Sequence, residues 1–279
     1  WEKVTAPLPR FIDISPILFS HKKYKEVLDY LKKNTKLSID ERHIILKSDL
    51  QKELQKNKKL SHLVIPTRNV TSFNDLLDWL KKYNTIVAKP VRGMQGNGVY
   101  IINYKEPDIY NIGIQKEEVS LSKKEFEEFF AKKLQNKGYI VQKYVSSRSI
   151  YGDPYDCRIH FEKNGQGEWA VAKSFIRIGI GQKVVSNISQ GGAVGNTKSF
   201  LKANFGEEKG KNIYLKLKKL ASELPYEIEH ITNKTLMNMG VDVGIDENGD
   251  LYIFEINSFP IVTPHRSEIA LLRVAYYKY

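Results

Sequence analysis

The amino-acid sequence predicts an α+β fold with several lobes. Two observations support this prediction: amphipathic helical segments are interspersed with β-branched strands, and the chain lacks a strict strand–helix–strand rhythm. The chain has 279 residues and is 41% hydrophobic, which is enough apolar material for a large buried core. No internal repeat and no run of about 18 apolar residues is present, so a repeat protein and a membrane span are not expected.

The N-terminal half predicts two lobes. Residues 1–62 predict a strand and turn in RFIDISPILF, then two lysine-rich amphipathic helices, and we expect a partial N-terminal lobe. Residues 63–146 predict a small lobe. Its first helix has a cap at Ser72 with Asp75 three residues later, and its second begins at Ser122 with Glu125 and ends at Gly138. Its strands are TIVAKPV, GVYIINY and YIVQKYV.

Residues 147–279 predict a C-terminal lobe built on two β hairpins. The segments DCRIHFEKNGQGEWAVAKSFIRI and GVDVGIDENGDLYIFEIN each contain an Asn-Gly pair, which is typical of a hairpin turn. Helices are predicted near 210–224 and 226–239, and a last helix begins at about 267.

The charge of the chain favours acidic partners. The net charge is +12, which suits nucleotides, acidic peptides or other polyanions. Much of the lysine lies in amphipathic helical segments, where a solvated helix face is favoured over a dedicated binding patch. No RNA-recognition or zinc-finger pattern is present, so no nucleic-acid partner is expected. The single cysteine, Cys157, excludes a disulfide framework; we expect it to be a small buried hydrophobe in a reducing, cytoplasmic compartment, with no secretory leader.

A glycine-rich segment follows a lysine in VAKPVRGMQGNGVYII. Lys89 lies four residues before Gly93, and Gly96 and Gly98 follow. A P-loop has its lysine after the glycines, and a Rossmann loop opens a helix, whereas this segment leads into another strand. We expect a β hairpin whose backbone N–H groups fold over a triphosphate. A flexible turn without a ligand is the alternative.

Two acids in the last hairpin predict a metal site. With a two-residue turn at Asn248 and Gly249, Asp242 lies directly across from Glu255, and Asn257 shares the face of Glu255, opposite Phe254 and Ile256. Facing carboxylates repel each other unless a cation lies between them, and these oxygen ligands suit Mg²⁺ or Mn²⁺. A solvent-exposed hairpin with free acids is the alternative, and the apolar YIFEIN segment argues against it.

Scattered cations complete the candidate site. Arg158 and Arg177 lie on the two arms of the first hairpin, with Lys173 between them along the chain. Arginines aimed at a transferring phosphoryl group would stabilise its charge. For each arginine taken alone, a surface salt bridge is the favoured interpretation.

In this order, the motifs resemble those of the ATP-grasp superfamily, over about residues 63–266. They are most similar to the YheC/YheD group of endospore coat-associated proteins, and RimK-like amino-acid ligases are more distant. The matching elements are the lysine and glycine hairpin, the VQKYV linker, Asp156 with Arg158, Arg177, the N-x-x-x-GG element from Asn187 to Gly192, and the final D…ExN set. The resemblance implies two α+β lobes that clasp ATP.

The resemblance also implies roles for individual residues. The nucleotide-binding set is Lys89, Gly93, Gln95, Gly96, Asn97, Gly98, Gln142, Lys143, Tyr144, Val145 and Lys173. The metal-binding set, for Mg²⁺ or Mn²⁺, is Asp242, Glu255 and Asn257. The catalytic set is Arg177, Arg158 and Asn187.

The implied activity is that of a carboxylate–amine ligase that uses ATP and Mg²⁺ and forms an acyl phosphate. The carboxylate donor and the amine are unknown, and an acidic peptide or protein is one candidate substrate. Two alternatives stay open: a kinase that phosphorylates a small molecule or protein, and a nucleotide-binding spore coat protein without catalysis.

Overall fold

The computed structural model describes residues 5–15, 18–19, 21–39, 47–91, 97–182, 184, 192–257, 260 and 266–279. Two large antiparallel sheets with helices packed against them dominate it, and the predicted α+β class is confirmed. The strands are β1 (Phe11–Ile12), β2 (Lys36–Leu37), β3 (Thr67–Asn69), β4 (Thr85–Pro90), β5 (Tyr100–Glu106), β6 (Ile109–Ile114), β7 (Glu117–Ser122), β8 (Tyr139–Lys143), β9 (Tyr155–Lys163), β10 (Trp169–Ile178), β11 (Ala193–Asn196), β12 (Asn238–Ile245) and β13 (Leu251–Asn257). The helices are α1 (Lys25–Asn34), α2 (Lys47–Lys56), α3 (Phe73–Tyr83), α4 (Lys123–Phe129), α5 (Thr197–Phe205), α6 (Glu207–Thr232) and α7 (Arg266–Lys278).

The first large sheet has the strand order β3-β8-β4-β5-β6-β7. Helices α3 and α4 cover one of its faces, with Leu76 and Phe126 fully buried against Ile86 and Ile112. Both helices begin with the predicted capping boxes, at Ser72 and at Ser122. A π-helical turn, Phe130–Leu134, continues α4, so this helical segment ends at Leu134 and not at Gly138 as predicted.

The second large sheet has the strand order β11-β10-β9-β12-β13. Helices α2, α5 and α6 pack on one face, where the odd-numbered residues of β9 and β12 are buried. Because side chains alternate along a strand, the even-numbered residues of these two strands lie on the opposite face. The polar residues of the candidate site are among them.

Helix α6 corrects one prediction. Pro225 suggested a boundary between two helices, but the structure has one helix from Glu207 to Thr232, with Pro225 buried inside it. Leu217, Leu224 and Ile228 lie in the core of the second sheet on both sides of the proline. Their burial stabilises the helix despite the hydrogen bond that a proline removes.

The two β hairpins of the second sheet have three-residue loops instead of the predicted Asn-Gly turns. In β12–β13, Asp246 Oδ1 accepts hydrogen bonds from the N–H groups of Asn248 and Asp250, both at 2.9 Å, and Gly249 has φ +81°. In the β9–β10 hairpin, Asn164 Oδ1 likewise accepts hydrogen bonds from two backbone N–H groups of the loop, and Gly167 has a positive φ. The side chain that opens each loop therefore stabilises the turn, and the last loop position needs glycine.

Helix α7 lies on the face of the second sheet that carries the even-numbered residues. Arg273 donates to Glu162 of β9, from Nη2 at 2.6 Å and from Nε at 3.2 Å, and Lys173 of β10 lies 3.2 Å from Glu268. The same arginine lies 3.9 Å from Asp13, close to β1. Helix α7 thus connects the N-terminal segment to the second sheet.

No helix within the described part of the chain is both long enough and apolar enough to span a bilayer. The division at residues 62 and 146 stays a prediction; Leu54 of α2 packs into the core of the second sheet, and Val64 forms a bridge with Ile253 of β13.

Candidate nucleotide and metal site

The glycine segment connects strands β4 and β5 in sequence, and these strands pair as the predicted hairpin requires. The two strands are antiparallel neighbours, and Ala88 pairs with Tyr100. Ile86 and Ala88 are buried under the helices, so Val87 and Lys89 lie on the opposite, helix-free face of the first sheet. Lys89 is half-buried on this face, and its contact with a phosphate stays a prediction.

Part of the glycine segment lies outside the described residues, namely Gly93, Gln95 and Gly96. Asn97 is exposed. Gly98 has φ +73°, and a Cβ atom there would lie 2.7 Å from Tyr139 Oη. The positive φ therefore favours glycine at position 98, and a larger residue would also displace the Tyr139 hydroxyl.

Strand β8 and the segment after it carry the residues predicted to contact the base. Gln142 is buried and donates from Nε2 to Thr67 Oγ1 at 2.7 Å. The N–H groups of Lys143 and Tyr144 donate to the carbonyl oxygens of Pro66 and Thr85. Among these residues, Val145 is buried and the Lys143 side chain is exposed. The segment is thus held firmly, and its contacts with a nucleotide stay a prediction.

The register of the second sheet brings four charged side chains together. Arg177 lies across from Asp156, and Arg158 lies across from Asp242. Arg177 donates to Asp156 from Nε at 2.7 Å and from Nη2 at 2.8 Å, and its Nη2 lies 2.9 Å from Asp242 Oδ2. Arg158 donates to both oxygens of Asp242, from Nε to Oδ1 and from Nη2 to Oδ2. The result is a chain of alternating charges, Asp156–Arg177–Asp242–Arg158.

The charged side chains of this row are largely buried, and each carboxylate lies beside a guanidinium group. Asp156, Arg177 and Asp242 are 5%, 8% and 4% exposed. Burial opposes ionisation of Asp242, but the charges of Arg177 and Arg158 outweigh burial and hold the pKa of its carboxyl below the ordinary value. For Arg177 burial also acts against the charged form, and the two aspartates nevertheless raise its pKa. Asp242 is therefore an anion held by two cations.

The predicted pairing of Asp242 with Glu255 is confirmed, although its derivation was partly wrong. The three-residue loop shifts the register by one residue, and a β-bulge between the pairs of Val243 and Asp242 shifts it back. The bulge places Asp242 across from Glu255 and Gly240 across from Asn257.

The bulge also overturns the prediction that Phe254 and Ile256 share a face. Ile256 is buried in the core of the second sheet, together with Ile253. Phe254 instead covers Gly244 on the other face, where any larger side chain at 244 would collide with its ring. The extra residue of the bulge explains why strict alternation fails here.

The donor set suits a divalent cation. Asp242, Glu255 and Asn257 offer carboxylate and amide oxygens from two neighbouring strands, which is the chemistry that Mg²⁺ prefers. Asp242 already receives two guanidinium groups, so a cation there must compete with an arginine. Within the described ranges no cluster of three or more His, Cys, Asp or Glu groups has metal-site geometry; the candidate set contains only two such groups and an asparagine.

The ion pairs of Asp156 and the continuation of the polar row along β9 were not predicted from the sequence. His160 is buried, and its Nε2 lies 2.9 Å from Glu162 Oε1, which in turn receives Arg273. Alternation of polar residues in DCRIHFE would have revealed this row. Lys173, predicted to contact nucleotide, pairs with Glu268 of α7. Asn187 and Gly191 lie outside the described residues.

Comparison with known proteins agrees with this architecture. A family model described as YheC/D-like ATP-grasp matches residues 37–273. The endospore coat-associated protein YheC of Bacillus subtilis (strain 168) is 24% identical over 241 residues, covering 85% of this chain and 66% of YheC. YheD of the same organism is 25% identical over 274 residues, covering 93% of this chain and 58% of YheD. The chain thus spans about three fifths of the length of these relatives.

Solved structures agree on the fold. D-cycloserine synthetase DcsG superimposes with a TM-score of 0.56 at 15% identity, covering 100% of this chain and 87% of DcsG. The ATP-grasp ligase PsnB, in complex with a precursor peptide and AMPPNP, gives a TM-score of 0.52 at 9% identity, covering 97% and 78%. At these identities the likeness establishes the ATP-grasp fold and not the substrates. The chain belongs to the YheC/D-like ATP-grasp family.

Proposed function

We propose that this chain is an ATP- and Mg²⁺-dependent carboxylate–amine ligase that works through an acyl phosphate. One observation supports it most strongly: Asp242 and Glu255 face each other on the sheet face where Arg158 and Arg177 converge. This arrangement supplies anionic ligands for a cation and guanidinium groups for a transferring phosphoryl group in one place. Family membership adds the nucleotide-binding fold around it.

The proposed reaction has two steps. An oxygen of the donor carboxylate forms a bond to the γ-phosphorus while the bond to the β,γ-bridging oxygen breaks, which yields an acyl phosphate and ADP. The amine nitrogen then bonds to the acyl carbon, the C–O bond to phosphate breaks, and the nitrogen loses a proton. The protein positions the groups and neutralises charge in both steps.

The residues of this chain divide that work. Lys89 and the hairpin from Gly93 to Gly98 would hold the phosphates, and the segment from Gln142 to Val145 would hold the base. Asp242, Glu255 and Asn257 would hold Mg²⁺, which, when bound, neutralises charge on the β- and γ-phosphates. Arg177, with Arg158, would stabilise the acyl phosphate. Asn187 and Lys173 are further candidates for this end of the site.

Charge and family point to a class of substrate. A net charge of +12 favours an acidic peptide or protein as the donor or acceptor. The names of the curated relatives favour an association with the spore coat. We also propose that residues 63–146 and 147–279 form the two lobes of the clasp, with residues 1–62 as a partial N-terminal lobe, in a cytoplasmic protein.

The direct test is turnover. The purified chain is incubated with ATP, Mg²⁺ and pools of amino acids and peptides, and phosphate release is measured beside the mass of any new amide. Glu255→Gln should lower turnover by about a hundredfold or more. Glu247→Gln, in the exposed loop of the same hairpin, is the matched control and should retain wild-type turnover. A Glu255→Gln enzyme with full turnover, or a stable phosphorylated product without an amide, would refute the proposal.

A further inference from the structure

The two arginines that hold Asp242 differ in how they are anchored. Arg177 has a second carboxylate, Asp156, which it grips through two hydrogen bonds of 2.7 and 2.8 Å. Within the described part of the chain, Asp242 is the hydrogen-bond and ion-pair partner of Arg158, and no second acid holds it. Arg177 would therefore keep one full ion pair if it lost Asp242, whereas Arg158 would keep none with the residues that the structure describes.

The two guanidinium groups also lie near different strands of the sheet. Arg158 extends toward the strand of the proposed metal ligands, because its Nη1 would lie 3.5 Å from a Cβ atom at Gly240, and Gly240 pairs with Asn257. Arg177 lies between Asp156 and Asp242, near the other edge of the sheet. Both arginines contact Asp242, and Arg158 is the one that also lies beside Gly240, the residue paired with Asn257.

A divalent cation at Asp242 conflicts with two guanidinium groups that already neutralise this carboxylate. Like charges repel strongly in a buried site, where screening by water is weak. The conflict is relieved if one arginine leaves Asp242. Arg158 can turn away by breaking its pair with one carboxylate, Asp242, whereas Arg177 would have to break its pairs with two carboxylates to move away.

We propose that Arg158 is an exchangeable counter-ion of Asp242: it neutralises this acid until Mg²⁺–ATP takes its place, and it then turns to the anionic substrate while Arg177 stays in position. This inference rests on the proposed function, since it assumes that Asp242 binds a cation. It adds an order of events. Loading of the metal and nucleotide releases the guanidinium that would receive the carboxylate or the acyl phosphate, so that substrate capture depends on prior metal binding.

Nuclear magnetic resonance of arginine Nε–H groups tests the exchange. The signals of Arg158 and Arg177 are assigned with Arg158→Lys and Arg177→Lys, and wild-type protein is titrated with Mg²⁺ and the nonhydrolysable analogue AMPPNP. We expect the Arg158 Nε–H to exchange with water at least about tenfold faster once the complex forms, because its carboxylate partner is lost. The Arg177 Nε–H should change by less than about twofold, because Asp156 still holds it. Unchanged protection of Arg158, or release of Arg177 instead, would overturn the inference.

Binding of Mn²⁺ without nucleotide gives a second measurement, read by electron paramagnetic resonance of the free ion. Arg158→Gln should bind Mn²⁺ about tenfold tighter than wild type or more, because no arginine pair has to be broken at Asp242. Arg68→Gln removes an exposed arginine that pairs with Asp75, and it should bind Mn²⁺ like wild type. Equal Mn²⁺ affinity of Arg158→Gln and wild type would also overturn the inference.

The two proposals fail in different ways. If calorimetry detects no binding of Mg²⁺–AMPPNP to wild type, the ligase proposal fails and the exchange fails with it. If the complex forms and Arg158 stays paired with Asp242, the exchange alone is refuted.

Discussion

Single residues of the site combine burial with charge, and Asp242 shows the consequence for stability. This carboxylate is 4% exposed and holds two arginines, so removal of its charge leaves buried cations without compensation. Asp242→Asn should lower the free energy of unfolding by about 3–5 kcal/mol at neutral pH, measured by urea denaturation. Asp250→Asn, which breaks an exposed pair with Lys216, should lower it by about 1 kcal/mol or less.

The pH dependence of the same variant follows from the lowered pKa of Asp242. A group whose pKa is lower in the folded state contributes stability above its unfolded pKa and loses it as the pH falls toward the folded value. The difference in unfolding free energy between wild type and Asp242→Asn should therefore be largest at neutral pH. It should shrink as the pH falls below about 3.9, the ordinary value for aspartate. A difference that does not vary with pH would contradict this assignment.

Cys157 illustrates a residue whose chemistry is suppressed. Burial raises the pKa of its thiol to about 12, and the thiolate is the reactive form. Native protein should therefore react with a thiol reagent such as DTNB far more slowly than urea-unfolded protein, in which one thiol per chain should react at once. Rapid reaction of the native protein would show that the Cys157 thiol is accessible to the reagent. The predicted role of a small buried hydrophobe is confirmed by its complete burial.

At the scale of elements, helices α5 and α6 cross so closely that helix propensity is overridden. Gly210 lies in α6, and a Cβ atom there would lie 2.5 Å from the carbonyl oxygen of Leu201 in α5. Glycine to alanine normally stabilises a helix, by about 1 kcal/mol. Here Gly210→Ala should instead lower the free energy of unfolding by about 1–3 kcal/mol, because backbone must move to admit the methyl group.

The matched control for this crossing is Lys211→Ala on the exposed face of the same helix. It should change stability by no more than about 0.5 kcal/mol in either direction. Thermal and urea unfolding of both variants check the pair. A stabilised Gly210→Ala protein would show that the two helices are further apart than described.

Helix α7 depends on one buried ion pair. Glu162 is 1% exposed and receives two hydrogen bonds from Arg273, whose pKa the carboxylate raises against the effect of burial. Arg273→Gln should lower the free energy of unfolding by about 3 kcal/mol, since a buried carboxylate loses its cation. Lys81→Gln, which breaks an exposed pair with Asp78, should have almost no effect. Equal stability of the two variants would contradict the account of α7.

Local signals in the sequence predicted the elements better than their ends. The capping boxes at Ser72 and Ser122 depend only on residues three apart, and both are present. The predicted ends of α4 and α6 were wrong. A π-helical turn and a proline buried inside a helix depend on packing that neighbouring residues do not encode. The facing of Asp242 and Glu255 was predicted correctly only because the loop and the bulge shift the register in opposite directions.

At the scale of the whole molecule, the sequence predicted the α+β class and the family, but not the charge chain across the second sheet. That chain requires the register of three strands at once, so the partners of Arg158 and Arg177 could not be derived from spacing along one hairpin. The ion pairs of α7 likewise join residues far apart in sequence. The glycine segment and Asn187 lie partly or wholly outside the described residues, so their part in the site stays a prediction.

Calorimetric binding of AMPPNP with and without Mg²⁺ tests most directly whether Asp242 and Glu255 bind the metal of a nucleotide complex. For wild type, Mg²⁺ should tighten AMPPNP binding by about tenfold or more. Glu255→Gln should lose most of this gain, and Glu247→Gln should keep it. If Glu255→Gln retained the full effect of Mg²⁺, the facing acids would not be the metal site, and the proposed ligase mechanism would lose its foundation.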